Sequence, residues 1–165
     1  MKKLISNISI TILLLLCVGC DQSTKRVAQS FLSDSGAVTY FNDMVRFQYV
    51  ENQGAFLGLG ANMPEAFRFY FFAVLVATIL VIAFSLFLIN KNKFTNSQAL
   101  PIIFIFGGGF SNLLDRFMNN GRVVDFMNIG LGNLRTGIFN VADMFILFGT
   151  LAIFVTIQNN REKEL

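Results

Sequence analysis

Residues 69–90 read FYFFAVLVATILVIAFSLFLIN, a run without a charged side chain that is closed by Lys91 and Lys93. About 20 consecutive apolar residues are enough for a helix to cross the hydrocarbon core of a bilayer. The rest of the chain agrees with this stretch, because 54% of the 165 residues are hydrophobic and the mean hydropathy is +0.59. The sequence therefore predicts an integral membrane protein rather than a soluble domain.

Three further apolar stretches are candidates for membrane spans. They cover residues 4–20, 99–114 and 141–158, and the last carries one charge, Asp143. Pro101 stands near the start of its stretch, where the first turn of a helix accepts proline. Four spans place both termini on the same side of the membrane.

Basic residues indicate the orientation, because Lys and Arg concentrate in short cytoplasmic segments. They are dense at the termini and in the 90–98 loop, and sparse over the longer segments 21–65 and 115–139. We therefore expect cytoplasmic termini and two external segments, 21–65 and 115–139. The basic residues of the termini and the 90–98 loop are Lys2, Lys3, Lys91, Lys93, Arg161 and Lys163. Those of the longer segments are Lys25, Arg26, Arg46, Arg116, Arg122 and Arg135.

The external segments have different patterns. Residues 38–50 alternate apolar and polar side chains around Asn42-Asp43, which predicts a short hairpin. Residues 122–139 are rich in Gly and Asn and predict irregular or short-stranded structure. The chain as a whole, 1–165, is predicted to form one membrane-embedded domain.

Asp125 and Asp143 are the main candidates for chemistry. The chain contains no histidine, so the Ser-His and Cys-His routes to hydrolysis are closed, and two carboxylates that share a proton remain possible. Both residues lie beside apolar runs at the predicted outer boundary, where a carboxylate is costly. The alternatives are a loop acid for Asp125 and, for Asp143, a helix N-terminal acid capped by Asn140.

Other polar residues fall at the same predicted boundary. Asp21 and Lys25 are one helical turn apart and indicate either a solvated helix end or the rim of a site. Asn52-Gln53-Gly54 is typical of a turn, and its amide could grip a peptide backbone. Asn112, Asp115 and Arg116 end a span in which Gly107, Gly108 and Gly109 favour close helix packing.

Two non-enzymatic interpretations stay open at this point. The chain could be a small transporter subunit or scaffold with Asp143 as a cap or ion ligand. It could also be a lipoprotein tethered at Cys20, since Lys2-Lys3, an apolar run and Gly19-Cys20 imitate a lipoprotein signal. The scattered basic residues form no nucleic-acid stripe, and the absence of histidine argues against zinc.

With these motifs together, the chain resembles the bacterial lipoprotein signal peptidase family, also called signal peptidase II. Five motifs occur in the family's order and over nearly the whole chain: Asp21 to Lys25, Asn52 to Phe56, Gly108 to Arg116, Val124 to Phe126, and Phe139 to Asp143. Ser111 stands where the family usually has glycine, and the second motif carries one alanine where two are common.

The resemblance implies a four-helix membrane enzyme with a small β-cradle outside the membrane. It implies an aspartic endopeptidase without metal or cofactor, which removes the signal peptide of diacylglyceryl-modified prolipoproteins at the outer face of the bacterial cytoplasmic membrane. Asp125 and Asp143 match the family's catalytic pair. The positions that match supporting or substrate-contacting residues are Asp21, Lys25, Asn52, Gly54, Asn112, Arg116 and Asn140.

Overall fold

The computed structural model describes residues 5–54 and 63–161. Their helices are α1 (Asn7–Leu32), α2 (Glu65–Phe69), α3 (Val76–Asn90), α4 (Asn96–Met118) and α5 (Val141–Arg161). A π-helical segment, Tyr70–Leu75, joins α2 to α3, and a 3-10 turn, Lys91–Lys93, follows α3.

Within these residues, four helical stretches are long and apolar enough to cross a membrane, namely Asn7–Leu32, Tyr70–Lys93, Asn96–Met118 and Val141–Asn159. Large apolar side chains such as Leu15, Ile82 and Leu151 are exposed on these helices, as contact with lipid requires. The predicted four-span architecture is confirmed.

Helix α1 continues to Leu32, twelve residues past Cys20, where the predicted apolar span ended. Ser6 caps its start by accepting a hydrogen bond from the backbone N–H of Ser9 at 3.0 Å. The charges that follow Cys20 do not end the helix, because Asp21 and Lys25 form an ion pair with each other at 2.7 Å. Cys20 therefore lies inside a continuous helix.

Four strands form one antiparallel sheet in the order β1-β2-β3-β4. They are β1 (Val38–Tyr40), β2 (Val45–Asn52), β3 (Val123–Leu131) and β4 (Leu134–Arg135). The predicted hairpin is β1 and β2, and its turn holds Phe41, Asn42 and Asp43 at positive φ. Residues 122–139 are more regular than predicted, because β3 pairs with β2 along most of its nine residues.

Helix α4 packs against both α1 and α5, and a larger share of its residues is buried than in the other three spans. A Cβ added at Gly107 would collide with Cys17 of α1, and one added at Gly108 would collide with the carbonyl oxygen of Ala142 in α5. The glycines thus permit the close helix approach expected from the sequence. This approach brings the polar end of α4 against the start of α5.

Candidate active site

The start of α5 fixes Asp143. Asn140 is the N-cap residue: its side-chain oxygen accepts from the backbone N–H of Asp143 at 3.0 Å. In return, a carboxylate oxygen of Asp143 accepts from the backbone N–H of Asn140 at 3.1 Å. This reciprocal arrangement is a capping box, and it sets the carboxylate at the positive end of the helix dipole.

Strand β3 presents Asp125 beside this helix end. The Asp125 carboxylate is 3% exposed and accepts a hydrogen bond on each oxygen. The side-chain amide of Asn140 donates to Oδ1 at 2.6 Å, and that of Asn52, at the end of β2, donates to Oδ2 at 2.8 Å. Asn140 therefore contacts both aspartates and links β3 to α5.

Asn112 of α4 completes the link. Its amide nitrogen donates to Asp143 Oδ1 at 2.9 Å, and its amide oxygen accepts from the Asn140 side chain at 3.0 Å. The two aspartates face one small cavity of about 50 Å³, whose lining is Asn52, Asn112, Arg116, Val123, Asp125, Ile138 and Asp143. The structure thus brings together two residues that are 18 positions apart in sequence.

The surroundings of Asp125 favour its protonated form. Burial raises the pKa of this carboxyl to about 6, and the negative charge of Asp143 adds to the rise. The hydrogen bonds from Asn52 and Asn140 oppose it by stabilising the ionised form. Asp125 is therefore able to exchange a proton near neutral pH, which general acid–base catalysis requires.

Arg116 connects the end of α4 to the turn after β2. Its guanidinium donates to the carbonyl oxygens of Gly54 and Asn112, each at 3.2 Å. Asn52 accepts from the backbone N–H of Gly54 at 2.9 Å, which closes this turn. Ala55 and Phe56 of the same motif lie outside the described residues.

Asp21 and Lys25 lie on α1, outside the lining of the small cavity. They are 0% and 3% exposed, and they form a buried ion cluster with Asp115 of α4, in which Lys25 Nζ is 2.9 Å from Asp115 Oδ2. The sequence interpretation left the role of Asp115 open and gave none to Ser111 or Gln22, which complete this cluster. The signal that could have found it is the i, i+4 spacing of Ser111 and Asp115 on one face of an apolar span.

A wider cleft of about 630 Å³ opens on the sheet side of Asp125. Most of the residues that line it are polar residues of β2, β3, β4 and the following loop, including Arg46, Gln48, Asn52, Asn128, Arg135 and Thr136. Arg135 is held there by Asn128 Oδ1 at 2.5 Å and by the carbonyl oxygen of Asp43 at 2.7 Å. A peptide reaching the two aspartates from this side would meet hydrogen-bonding groups and apolar surface such as that of Val50 and Ile138.

Comparison with known proteins identifies the family. A family model described as Signal peptidase (SPase) II matches residues 13–158. The chain belongs to this family. Membership makes it an aspartic endopeptidase of the membrane that removes signal peptides from prolipoproteins, and it confirms the resemblance found in the sequence.

Individual relatives cover most of the chain. The lipoprotein signal peptidase of Treponema denticola is 33% identical over 88% of this chain and 87% of its own length. That of Chlorobium phaeobacteroides is 35% identical over 82% and 81%, and that of Clostridioides difficile is 30% identical over 92% and 97%.

Two solved structures of bacterial membrane enzymes, obtained by the in meso method, share the fold. One has a TM-score of 0.82 at 22% identity and covers 100% of this chain and 96% of its own. The other has a TM-score of 0.75 at 24% identity and covers 95% and 97%.

Proposed function

We propose that Asp125 and Asp143 are the catalytic pair of this peptidase, and that they cleave prolipoproteins immediately before the diacylglyceryl-modified cysteine. The observation that carries the proposal is the shared contact with Asn140: its side-chain amide donates to the Asp125 carboxylate, its backbone N–H donates to the Asp143 carboxylate, and both carboxylates face the same cavity. Their other side-chain partners are the neutral amides of Asn52 and Asn112. Among residues 5–54 and 63–161, no ammonium or guanidinium hydrogen bond therefore holds either aspartate in its ionised form.

The mechanism uses one ionised and one protonated carboxyl group. The ionised aspartate takes a proton from water, and the water oxygen forms a bond to the scissile carbonyl carbon. The protonated aspartate donates its hydrogen bond to the carbonyl oxygen during this attack. The protonated aspartate then gives its proton to the amide nitrogen, and the carbonyl re-forms as the C–N bond breaks. The new amine belongs to the lipidated cysteine, and the proton taken from water leaves the pair with one proton again.

The two sides of the cavity suit the two parts of such a substrate. Exposed apolar side chains of the spans provide a surface for the signal helix and the acyl chains. The cleft along β2 and β3 provides hydrogen-bonding groups for the extended peptide around the cleavage point. We assign Asn52, Asn112 and Arg116, which line the cavity, to positioning this peptide. Gly54 and the fully buried Asn140 support them by binding Arg116 and the two aspartates.

The same proposal includes the placement in the cell. The sheet and the two aspartates lie at the outer face of the bacterial cytoplasmic membrane, and both termini are cytoplasmic. The basic residues of the termini and the 90–98 loop support this orientation, because short basic segments stay in the cytoplasm.

A cleavage assay in lipid bilayers tests the proposal. The purified protein is mixed with a prolipoprotein peptide that carries a diacylglyceryl cysteine, and the products are identified by mass spectrometry. Wild type is expected to release a fragment with the lipidated cysteine at its new N-terminus. Asp125→Asn and Asp143→Asn are each expected to lower the rate by about 10³-fold or more, whereas Asp34→Asn, in an exposed turn, serves as the matched control.

Two results would contradict the proposal. One is a folded Asp125→Asn or Asp143→Asn variant that cleaves at nearly the wild-type rate. The other is a product cut at a bond other than the one before the lipidated cysteine.

A further inference from the structure

The buried carboxylate of Asp21 binds the backbone directly before one of the two proposed catalytic aspartates. Asp21 Oδ1 accepts from the N–H of Ala142 at 2.8 Å, and Ala142 immediately precedes Asp143. Asp21 and Ala142 are both 0% exposed, so water does not compete for this bond. The contact joins α1 to the first turn of α5 across 121 positions of sequence.

Asp115 makes the equivalent contact on the other side. Its Oδ2 atom accepts from the backbone N–H of Val124 at 3.0 Å, and Val124 immediately precedes Asp125. Asp115 and Val124 are both buried. Each proposed catalytic aspartate is thus preceded by an amide that a second, buried aspartate holds.

Lys25 joins these two supports. Its ammonium group lies 2.7 Å from Asp21 Oδ2 and 2.9 Å from Asp115 Oδ2, and it donates to Asn112 Oδ1 at 3.0 Å. These three contacts use all three donors of the ammonium group. Asn112 in turn binds Asp143, so the ammonium group is one residue removed from the reacting carboxyls.

The carboxylate oxygens of Asp21 and Asp115 accept two further hydrogen bonds from side chains. Ser111 donates to Asp21 Oδ2 at 2.6 Å, and Gln22 donates to Asp115 Oδ1 at 2.6 Å. A buried polar network in which every member is satisfied is rigid, because any displacement leaves a charge without a partner.

We propose that Asp21, Lys25 and Asp115 form a positioning bridge that sets the spacing of Asp125 and Asp143 by holding the amide before each of them. The proposal rests on the assignment of Asp125 and Asp143 as the catalytic pair. The three members of the bridge do not line the cavity that the pair faces, and they are positioning residues. The effect of the bridge is on alignment, where an error of about 1 Å lowers a rate by about 10²-fold.

Two substitutions at Asp115 separate alignment from substrate binding. Asp115→Ala removes the acceptor for Val124 and is expected to lower kcat by about 10²-fold while KM changes less than about twofold. Asp115→Asn keeps an oxygen for Val124 and Lys25, since Gln22 can turn its amide to match, and is expected to keep kcat within about tenfold of wild type. Asp34→Asn is the control. A folded Asp115→Ala variant with wild-type kcat, or one that changes only KM, would overturn the proposal.

Amide hydrogen exchange in lipid nanodiscs gives a readout that does not depend on catalysis. Asp115→Ala is expected to speed exchange in the peptide that contains Val124 and to leave the peptide that contains Ala142 unchanged. Asp21→Ala is expected to do the reverse. Unchanged exchange in both peptides would overturn the bridge. This arm still reports on the bridge if the cleavage assay shows Asp125 or Asp143 to be dispensable.

An amide-to-ester variant covers the case in which an alanine variant does not fold. An ester bond between Val141 and Ala142 deletes the donor N–H itself and keeps both side chains, of which that of Ala142 is fully buried. We expect it to lower kcat with little change in KM. Wild-type kcat in the folded variant would contradict the role of the Asp21–Ala142 bond.

Discussion

Two pairs of aspartates in this molecule have different electrostatic partners. Asp21 and Asp115 share the ammonium group of Lys25, at 2.7 and 2.9 Å. Asp125 and Asp143 instead accept hydrogen bonds from asparagine side chains and from backbone amides. Hydrogen bonds to a cation are roughly twice as strong as those to a neutral amide, so the two pairs are held to different degrees. In the proposed mechanism, the same residue type serves as a fixed support in one pair and as a proton carrier in the other.

Removing the cation should have the largest effect on stability. Lys25→Met leaves the charges of Asp21 and Asp115 buried without their shared partner, and we expect the free energy of unfolding to fall by about 3–5 kcal/mol. Thermal or denaturant unfolding in detergent measures it, with Lys93→Met, at an exposed position, as the control. A loss below about 1 kcal/mol would show that the first pair does not depend on the ammonium group.

Removing a carboxylate from the second pair should change how stability depends on pH. Because the folded pKa of Asp125 is about 6, above the ordinary value of 3.8, the folded state binds the proton more tightly than the unfolded state. Wild type thus loses stability as pH rises from about 4 to 6, by about 3 kcal/mol in total for a shift of this size. Asp125→Asn is free of this loss, so its stability relative to wild type should increase between about pH 4 and pH 6 and then level off.

The change of this stability difference with pH is the informative quantity. The amide that Asp125→Asn introduces has the same contacts with Asn52 and Asn140 at every pH, so these contacts change the stability by a constant amount. Unfolding curves of wild type, Asp125→Asn and the Asp34→Asn control at several pH values provide it. A stability difference that stays constant over this whole range would contradict the raised pKa.

A smaller effect is expected at Ser111. Its hydroxyl donates to Asp21 at 2.6 Å, and a hydrogen bond to a charged group contributes about 1.5–3 kcal/mol. Ser111→Ala should lower the free energy of unfolding by about 1–2 kcal/mol, because Lys25 still binds the same oxygen. If unfolding of this variant matches wild type within error, the serine does not support the bridge.

The smallest effect is expected for an exposed ion pair of the sheet. Arg122 donates to Glu51 at 2.7 Å, and each side chain is 38% exposed. Solvent and salt screen such a pair, so Glu51→Gln should change stability by less than about 1 kcal/mol. A loss of stability as large as that expected for Lys25→Met would show that the exposed ion pair contributes as much as the buried one.

Much of the fold could be predicted from the sequence, because uncharged runs such as 69–90 report spans directly and the alternation in 38–50 reports a hairpin. The length of β3 could not, since it depends on pairing with β2, which is distant in the chain. The continuation of α1 past Asp21 could not be predicted either. In the sequence, Asp21 and Lys25 resemble the end of a span. Only the structure shows that they are buried against Asp115 of α4.

The candidate site divides in the same way. Residue types and the family resemblance nominated Asp125, Asp143 and Asn140. The contacts of Asp115 with Val124 and of Asp21 with Ala142 could not be predicted, because they depend on how three helices and a strand meet. No local pattern distinguishes a carboxylate that holds an amide from one that carries a proton.

The most direct test is a single-turnover cleavage series with one Asp→Asn substitution at each of Asp115, Asp125 and Asp143, all checked for folding. Lipidated prolipoprotein peptide is the substrate in each case. We predict that Asp125→Asn and Asp143→Asn lose about 10³-fold or more, while Asp115→Asn stays within about tenfold of wild type. Equal losses at all three positions, or near wild-type cleavage by either catalytic variant, would contradict the division between the two pairs.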